Sequence, residues 1–198
     1  MTDTIKAIQK KVGVTADGII GPKTVAALAK ALNVTTKTDT GTQWPTQAEV
    51  RAEKSIFGKA GDENQLVSFK PAYPLYFDGR ECKTIRVHRL IAPAVKSALE
   101  DILECYGTDG IKQLGLDQYS GSYSYRKTTT GTAMSMHAWG IALDFAAATN
   151  GYSTKKPKAT LSIPACEKFW EIWESYGAVS LGRECDKDWM HLQFARLK

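Results

Sequence analysis

The sequence predicts an α+β fold, one full domain with a small helical appendage, and three observations predict it. Short apolar runs of strand length recur between Pro and Gly turns, at 65–70, 84–90, 141–145 and 191–194. Helical apolar spacing appears in separate stretches, chiefly 93–105 and 164–176. A Thr-rich segment with almost no apolar content reads as a linker. The expected organisation is a helical module over 1–34, a linker over 35–44 and a main domain over 45–198.

Bulk properties narrow the function classes. The 198 residues, 43% hydrophobic and 24% charged, describe an ordinary globular protein. Lys and Arg number 26 against 21 Asp and Glu, a net charge of +5 that suits an anionic partner. No Lys/Arg block is interleaved with aromatics and no nucleic-acid-binding signature appears, so nucleic acid is not expected as a partner. No run approaches membrane-spanning length, so no membrane insertion is expected. The first eleven residues contain no apolar signal region, so the protein is expected to stay in the cytoplasm where it is made until released. The four cysteines, Cys82, Cys105, Cys166 and Cys185, match no metal-binding spacing and are expected to be buried free thiols in a monomer.

Taken in order, Ile5, Ile8 and Val12 give a first helix, ended by Gly13. Pro22 opens a second, with Val25, Leu28 and Leu32 on one face. The Asp17-Gly18-Ile-Ile-Gly21-Pro-Lys-Thr loop between them resembles that of peptidoglycan-binding modules, here in a two-helix form. Thr46-Gln-Ala-Glu49 is a capping-box pattern for a helix running to about Phe57. Strands are expected at Gln65–Lys70, Leu75–Phe77 and Thr84–Leu90, then a helix from Pro93 through Cys105, closed by Gly107 and Gly110. Tyr119 to Arg126 alternates aromatic and small residues as a half-buried strand does. Thr128–Thr132 reads as a polar loop and 146–160 as a loop shaping access to a site. Pro164 opens a last helix whose Phe169, Trp170, Trp173 and Tyr176 form an aromatic core stripe, and strands around Val179 and His191–Phe194 finish the chain.

The chemistry concentrates in Ser135-Met-His-Ala-Trp-Gly-Ile-Ala-Leu-Asp144 and Asp188-Trp-Met-His191. Asp144 interrupts an apolar strand, and a carboxylate inside a core must be paired, hydrogen-bonded or metal-bound. Two of the three histidines lie in these segments. His137, Asp144 and His191 together make a three-ligand set for Zn²⁺ that leaves a fourth position open for water. His88, among basic residues and without a carboxylate at ligand spacing, reads as structural or solvent-facing.

Ser-x-His-x-x-Gly-x-Ala-x-Asp, followed by an acidic residue three before a late His, resembles the M15-type zinc peptidases. That group includes VanY-like D-Ala-D-Ala carboxypeptidases, L-alanyl-D-glutamate endopeptidases and related phage endolysins. Ser135 falls on the motif's leading Ser, Gly140 and Ala142 on its small positions, and His137, Asp144 and His191 on its zinc ligands. The resemblance implies a zinc D-Ala-D-Ala peptidase-like fold (Hedgehog/DD-peptidase type), an antiparallel sheet with flanking helices. It also implies Asp188 as general base and acid and Arg126 as the residue facing the oxyanion or a substrate carboxylate. For Asp188 and His191 both to face the metal, the backbone must turn around Trp189, because a strand puts i and i+3 on opposite faces.

The expected function is that of a phage endolysin, a zinc peptidase cleaving the L-Ala-D-Glu bond of bacterial peptidoglycan. It would be held in the host cytoplasm until lysis and then reach the wall. A D-Ala-D-Ala carboxypeptidase and a non-catalytic wall-binding protein with a structural metal are the alternatives.

Overall fold

The computed structural model describes residues 2–16, 18, 22–32 and 44–198. The chain divides into two units, Met1–Thr42 and Gln43–Lys198. Among the described residues no helix is long and apolar enough to cross a membrane.

The first unit contains helices α1 (Thr2–Lys11) and α2 (Pro22–Ala31). Among its described residues the buried side chains, Gln9 and Thr24, are polar. Gln9 donates to Thr24 Oγ1 at 3.1 Å and accepts from the Gly18 amide at 2.8 Å. Among the described residues none of the expected apolar positions is fully buried: Ile8, Val25 and Leu32 are exposed and Ile5, Val12 and Leu28 half-buried, so they close no core. Two ten-residue helices have too little surface to enclose one. Most of the interhelical loop and of the expected linker lies outside the described residues. Trp44, placed in that linker by the sequence reading, is instead a core residue of the second unit. It stacks on Phe57 at 5.7 Å and meets Phe194 edge-on at 5.7 Å.

The second unit opens with α3 (Gln47–Arg51). Thr46 caps it, and Glu49 returns the bond to the Thr46 amide at 2.7 Å. The helix ends at Arg51, well short of Phe57, because Glu53 and Lys54 occupy the positions that would extend the face of Val50. Strands β1 (Leu66–Phe69), β2 (Tyr76–Phe77), β3 (Arg80–Glu81) and β4 (Ile85–His88) form two antiparallel pairs, β1 with β4 and β2 with β3. Helix α4 (Ala92–Leu114) outruns its expected end. Gly107 breaks it at φ 62° and ψ 173°, but the chain resumes helical turns until Gly115 caps it in the left-handed region.

A four-stranded antiparallel sheet follows, in the order β5 (Tyr119–Gly121), β6 (Ala142–Phe145), β8 (His191–Gln193), β7 (Val179–Ser180). Alternation along β6 assigns its faces. Phe145 meets Phe169 and Trp173 of helix α6 (Glu167–Ser175), so Asp144 must face the other way. Phe169, Trp170 and Trp173 of the expected stripe are core, each fully buried ring contributing about 1.5–3 kcal/mol, whereas Tyr176, just past the helix, is half-buried with its hydroxyl donating to Asp101 Oδ2 at 2.9 Å. The strand expected over 119–126 ends at Gly121, whose φ of 119° turns the chain out of the sheet. Two short helices, α5 (Ala147–Asn150) within the expected 146–160 loop and α7 (Leu181–Cys185) between the last two strands, flank the far end of β6 and the approach to β8.

Candidate metal centre

Asp144 and His191 are direct cross-strand partners in the β6–β8 ladder, which puts both side chains on one face of the sheet. His137 reaches the same point from a 3-10 turn, Met136–Trp139. Ser135 starts that turn by accepting the His137 amide, and Gly140 ends it in the left-handed region at φ 67°. A Cβ on Gly140 would lie 2.6 Å from Leu66 Cδ2 and 3.2 Å from the His88 amide nitrogen, so this position requires glycine.

The donor atoms converge. His137 Nε2 lies 3.2 Å from Asp144 Oδ2, His191 Nδ1 lies 3.0 Å from Asp144 Oδ1, and the two ring nitrogens are 3.2 Å apart. All three residues are buried. The outward ring nitrogens are occupied: His137 Nδ1 donates to the Ser122 carbonyl at 3.0 Å, and His191 Nε2 faces Gln193 Oε1 at 3.2 Å. With their protons directed outward, the inward nitrogens present lone pairs to each other and to a carboxylate. Such a cluster needs a cation at its centre, and two imidazoles with one carboxylate are a donor set suited to zinc. The residues present therefore fit a divalent metal. Burial opposes ionisation of Asp144, but the two imidazoles set against its oxygens outweigh it and hold the carboxyl well below its usual range. The site keeps its negative charge.

Asp188 stands beside this cluster on the turn the sequence reading required. Its φ is 54°, and its carbonyl accepts the His191 amide at 2.9 Å, which folds Asp188 and His191 toward one side. The turn is anchored from the 146–160 segment. Tyr152 carbonyl accepts the Asp188 amide at 3.0 Å, and Asn150 carbonyl accepts that of Met190 at 3.1 Å. Asp188 Oδ1 is buried without a hydrogen-bond partner, and burial pushes its pKa up. Arg126 sits at the rim of the same cleft, exposed, with one guanidinium nitrogen 3.3 Å from the Lys127 carbonyl. The cleft has a volume of about 410 Å³ and is also lined by Thr128–Thr130, Tyr152 and Lys187.

Residues 128–194, about a third of the chain, match the family model described as D-alanyl-D-alanine carboxypeptidase. The match supports a peptidase of the M15 type. M15 peptidases are zinc-dependent, and the matched segment contains His137, Asp144, Asp188 and His191. Arg126 lies two residues ahead of it. No curated protein and no solved structure matches the chain.

All five residues singled out from the sequence line this one cleft, and the 128–132 loop borders it. His88 lies elsewhere. It is buried, not solvent-facing, with Nε2 on the Phe57 carbonyl at 3.2 Å and Nδ1 accepting the Leu90 amide. Of the cysteines only Cys166 is buried; Cys82, half-buried, packs against the edge of the core, while Cys105 within α4 and Cys185 at the end of α7 are exposed on the outer sides of their helices. Cys185 reaches the cleft without joining the metal cluster. The sequence reading missed Ser122 and Gln193, the partners of the two imidazoles. Gln193 was findable, since two residues after His191 on a strand is the same face. The Ser122 contact is through backbone and leaves no sequence signal.

Proposed function

We propose that this protein is a metal-dependent peptidoglycan peptidase. The observation that carries the reading is a buried, partnerless carboxylate oxygen of Asp188 next to a two-imidazole, one-carboxylate cluster. A purely structural metal site needs no spare carboxylate, and this disfavours the wall-binding alternative. His137, Asp144 and His191 would hold the metal. When bound there, zinc supplies Lewis acidity that activates water and polarises the scissile carbonyl.

The rest of the chemistry falls to the chain. Asp188 accepts the proton of the attacking water and returns it to the leaving amine. Its raised pKa makes it a better base than an ordinary surface carboxylate. Arg126 meets the negative charge that develops on the carbonyl oxygen. Arg51 and Lys187 also line the cleft, so a carboxylate-bearing peptide is favoured over a neutral one.

The substrate is the stem peptide of bacterial peptidoglycan and the bond is L-Ala-D-Glu, as befits a phage endolysin that accumulates in the host cytoplasm and reaches the wall at lysis. The bond and the lytic role rest on the motif's resemblance to the endopeptidases and on the Asp-Gly-Ile-x-Gly-Pro loop of the first unit. A D-Ala-D-Ala carboxypeptidase is the second reading, favoured by the description of the matching family model. Release of new amino groups from purified peptidoglycan should stop on chelation and return with zinc. Release undiminished by a chelator would refute the metal-dependent reading.

A further inference from the structure

We infer that Arg51, Gln47 and Gln193 form a one-directional hydrogen-bond chain that dictates which nitrogen of His191 faces the metal, making helix α3 part of the metal site. The inference rests on the metal-site reading above. None of the three was singled out from the sequence, and Gln47 and Arg51 lie far from the matched segment in the chain.

The direction of the chain is forced from both ends. Arginine has donors and no acceptor. The Gln47 atom 3.3 Å from Arg51 Nη1 and 3.2 Å from Nη2 must therefore be the amide oxygen. That leaves the Gln47 amide nitrogen to donate to Gln193 at 3.1 Å. At the other end, the Ala195 carbonyl can only accept, so the Gln193 atom 2.7 Å away is its nitrogen. Both constraints turn Gln193 Oε1 toward His191. The ring nitrogen facing it at 3.2 Å, Nε2, must then carry the hydrogen. Nδ1 is left bare toward Asp144 and His137. Oε1 receives one bond from Gln47 and one from His191, which fills both lone pairs of the carbonyl.

His137 is fixed in the opposite sense, because a backbone carbonyl accepts from its Nδ1 and frees Nε2. The two ligands thus use different nitrogens, and each choice is set by a partner outside the cluster. Gln193 is only 1% exposed, so water cannot replace either of its bonds cheaply. The outer end is also rigid. Arg51 Nε donates to the Met134 carbonyl at 2.9 Å, and the Thr46–Glu49 capping box holds the helix that presents Gln47. Among the described ion pairs Arg51 has no carboxylate, which leaves its donors committed to Gln47 and to backbone. Gln193, Gln47 and Arg51 are positioning residues: they act through His191.

Two measurements on the full chain test this. Long-range proton–nitrogen NMR of the zinc-loaded protein should show His191 protonated at Nε2 and His137 at Nδ1. Zinc affinity, read by competition with a chromophoric chelator, should fall roughly 10–100-fold in Gln193→Met, which keeps the volume and removes the acceptor. Gln47→Leu should lower affinity by a smaller measurable factor, with the His191 signals broadened or shifted. Should Gln193→Met fail to fold, Gln47→Leu at its half-buried position decides alone. His191 protonated at Nδ1, or wild-type zinc affinity in the variants that fold, would overturn the chain. Absence of zinc binding by the wild-type protein would instead overturn the metal-site reading beneath it.

Discussion

Substituting Gly182 by Ala perturbs the site from behind without touching a ligand. Gly182 lies in α7, and a Cβ there would fall 2.6 Å from Cε3 and 2.8 Å from Cγ of Trp189. Carbon atoms pack no closer than about 3.5 Å, so the indole or the helix must retreat by about 1 Å. The ring has little room. Trp189 is 2% exposed, meets Trp170 edge-on at 6.3 Å and donates to Asp186 Oδ1 at 2.9 Å. Overpacking of this kind costs about 1–3 kcal/mol, which for a chain of this size lowers the melting temperature by roughly 2–12 °C. Trp189 also carries Asp188 on one side and leads to His191 on the other. A displacement near 1 Å at Asp188, the proposed general base, costs on the order of 100-fold in turnover. The zinc-loaded variant is therefore expected to melt lower and to turn over far more slowly on purified peptidoglycan. Wild-type melting and turnover in Gly182→Ala would refute the claim that Trp189 packing aims Asp188.

Other outcomes follow from the same geometry. Asp188→Ala should abolish turnover while zinc stays bound at one ion per chain; retained turnover removes Asp188 from its assigned role. Asp144→Asn should weaken zinc affinity strongly, because it takes away the cluster's only charged ligand; unchanged affinity would show that the metal lies elsewhere. Burial disfavours charging His191, but the Asp144 carboxylate outweighs this and raises its pKa. A protonated imidazole cannot ligate, so zinc affinity should be full above that raised value and fall as pH drops through it. The loss should begin at a higher pH than for an ordinary histidine, and affinity flat from about pH 8 to 5 would contradict it. Arg126→Ala should lower turnover with zinc retained, and equal turnover would leave Arg126 a surface residue.

The site was legible where chemistry is written in side chains at strand or turn spacing. Asp144 inside an apolar run announced a buried carboxylate, and Asp188-x-x-His191 required the turn that the φ of 54° at Asp188 supplies. Tertiary contacts were harder to read. The early end of α3 followed from Glu53 and Lys54, which the capping box upstream obscured. The continuation of α4 past Gly107 depends on one residue adopting φ 62°, which glycine permits but does not announce. The Ser122 carbonyl serves His137 through backbone alone, so no residue type could signal it. Val25 and Leu32 have helical spacing yet are exposed, because periodicity identifies a face and says nothing of what covers it.

The most direct test is mass spectrometry of the fragments released from purified peptidoglycan by the zinc-loaded protein and by the same protein after chelation. Stem peptides beginning at D-Glu, with L-Ala left on the glycan and no such products after chelation, are the expected result. Zinc-dependent loss of the terminal D-Ala alone would reassign the protein to the carboxypeptidases, and products formed equally with the chelator would contradict the metal mechanism itself.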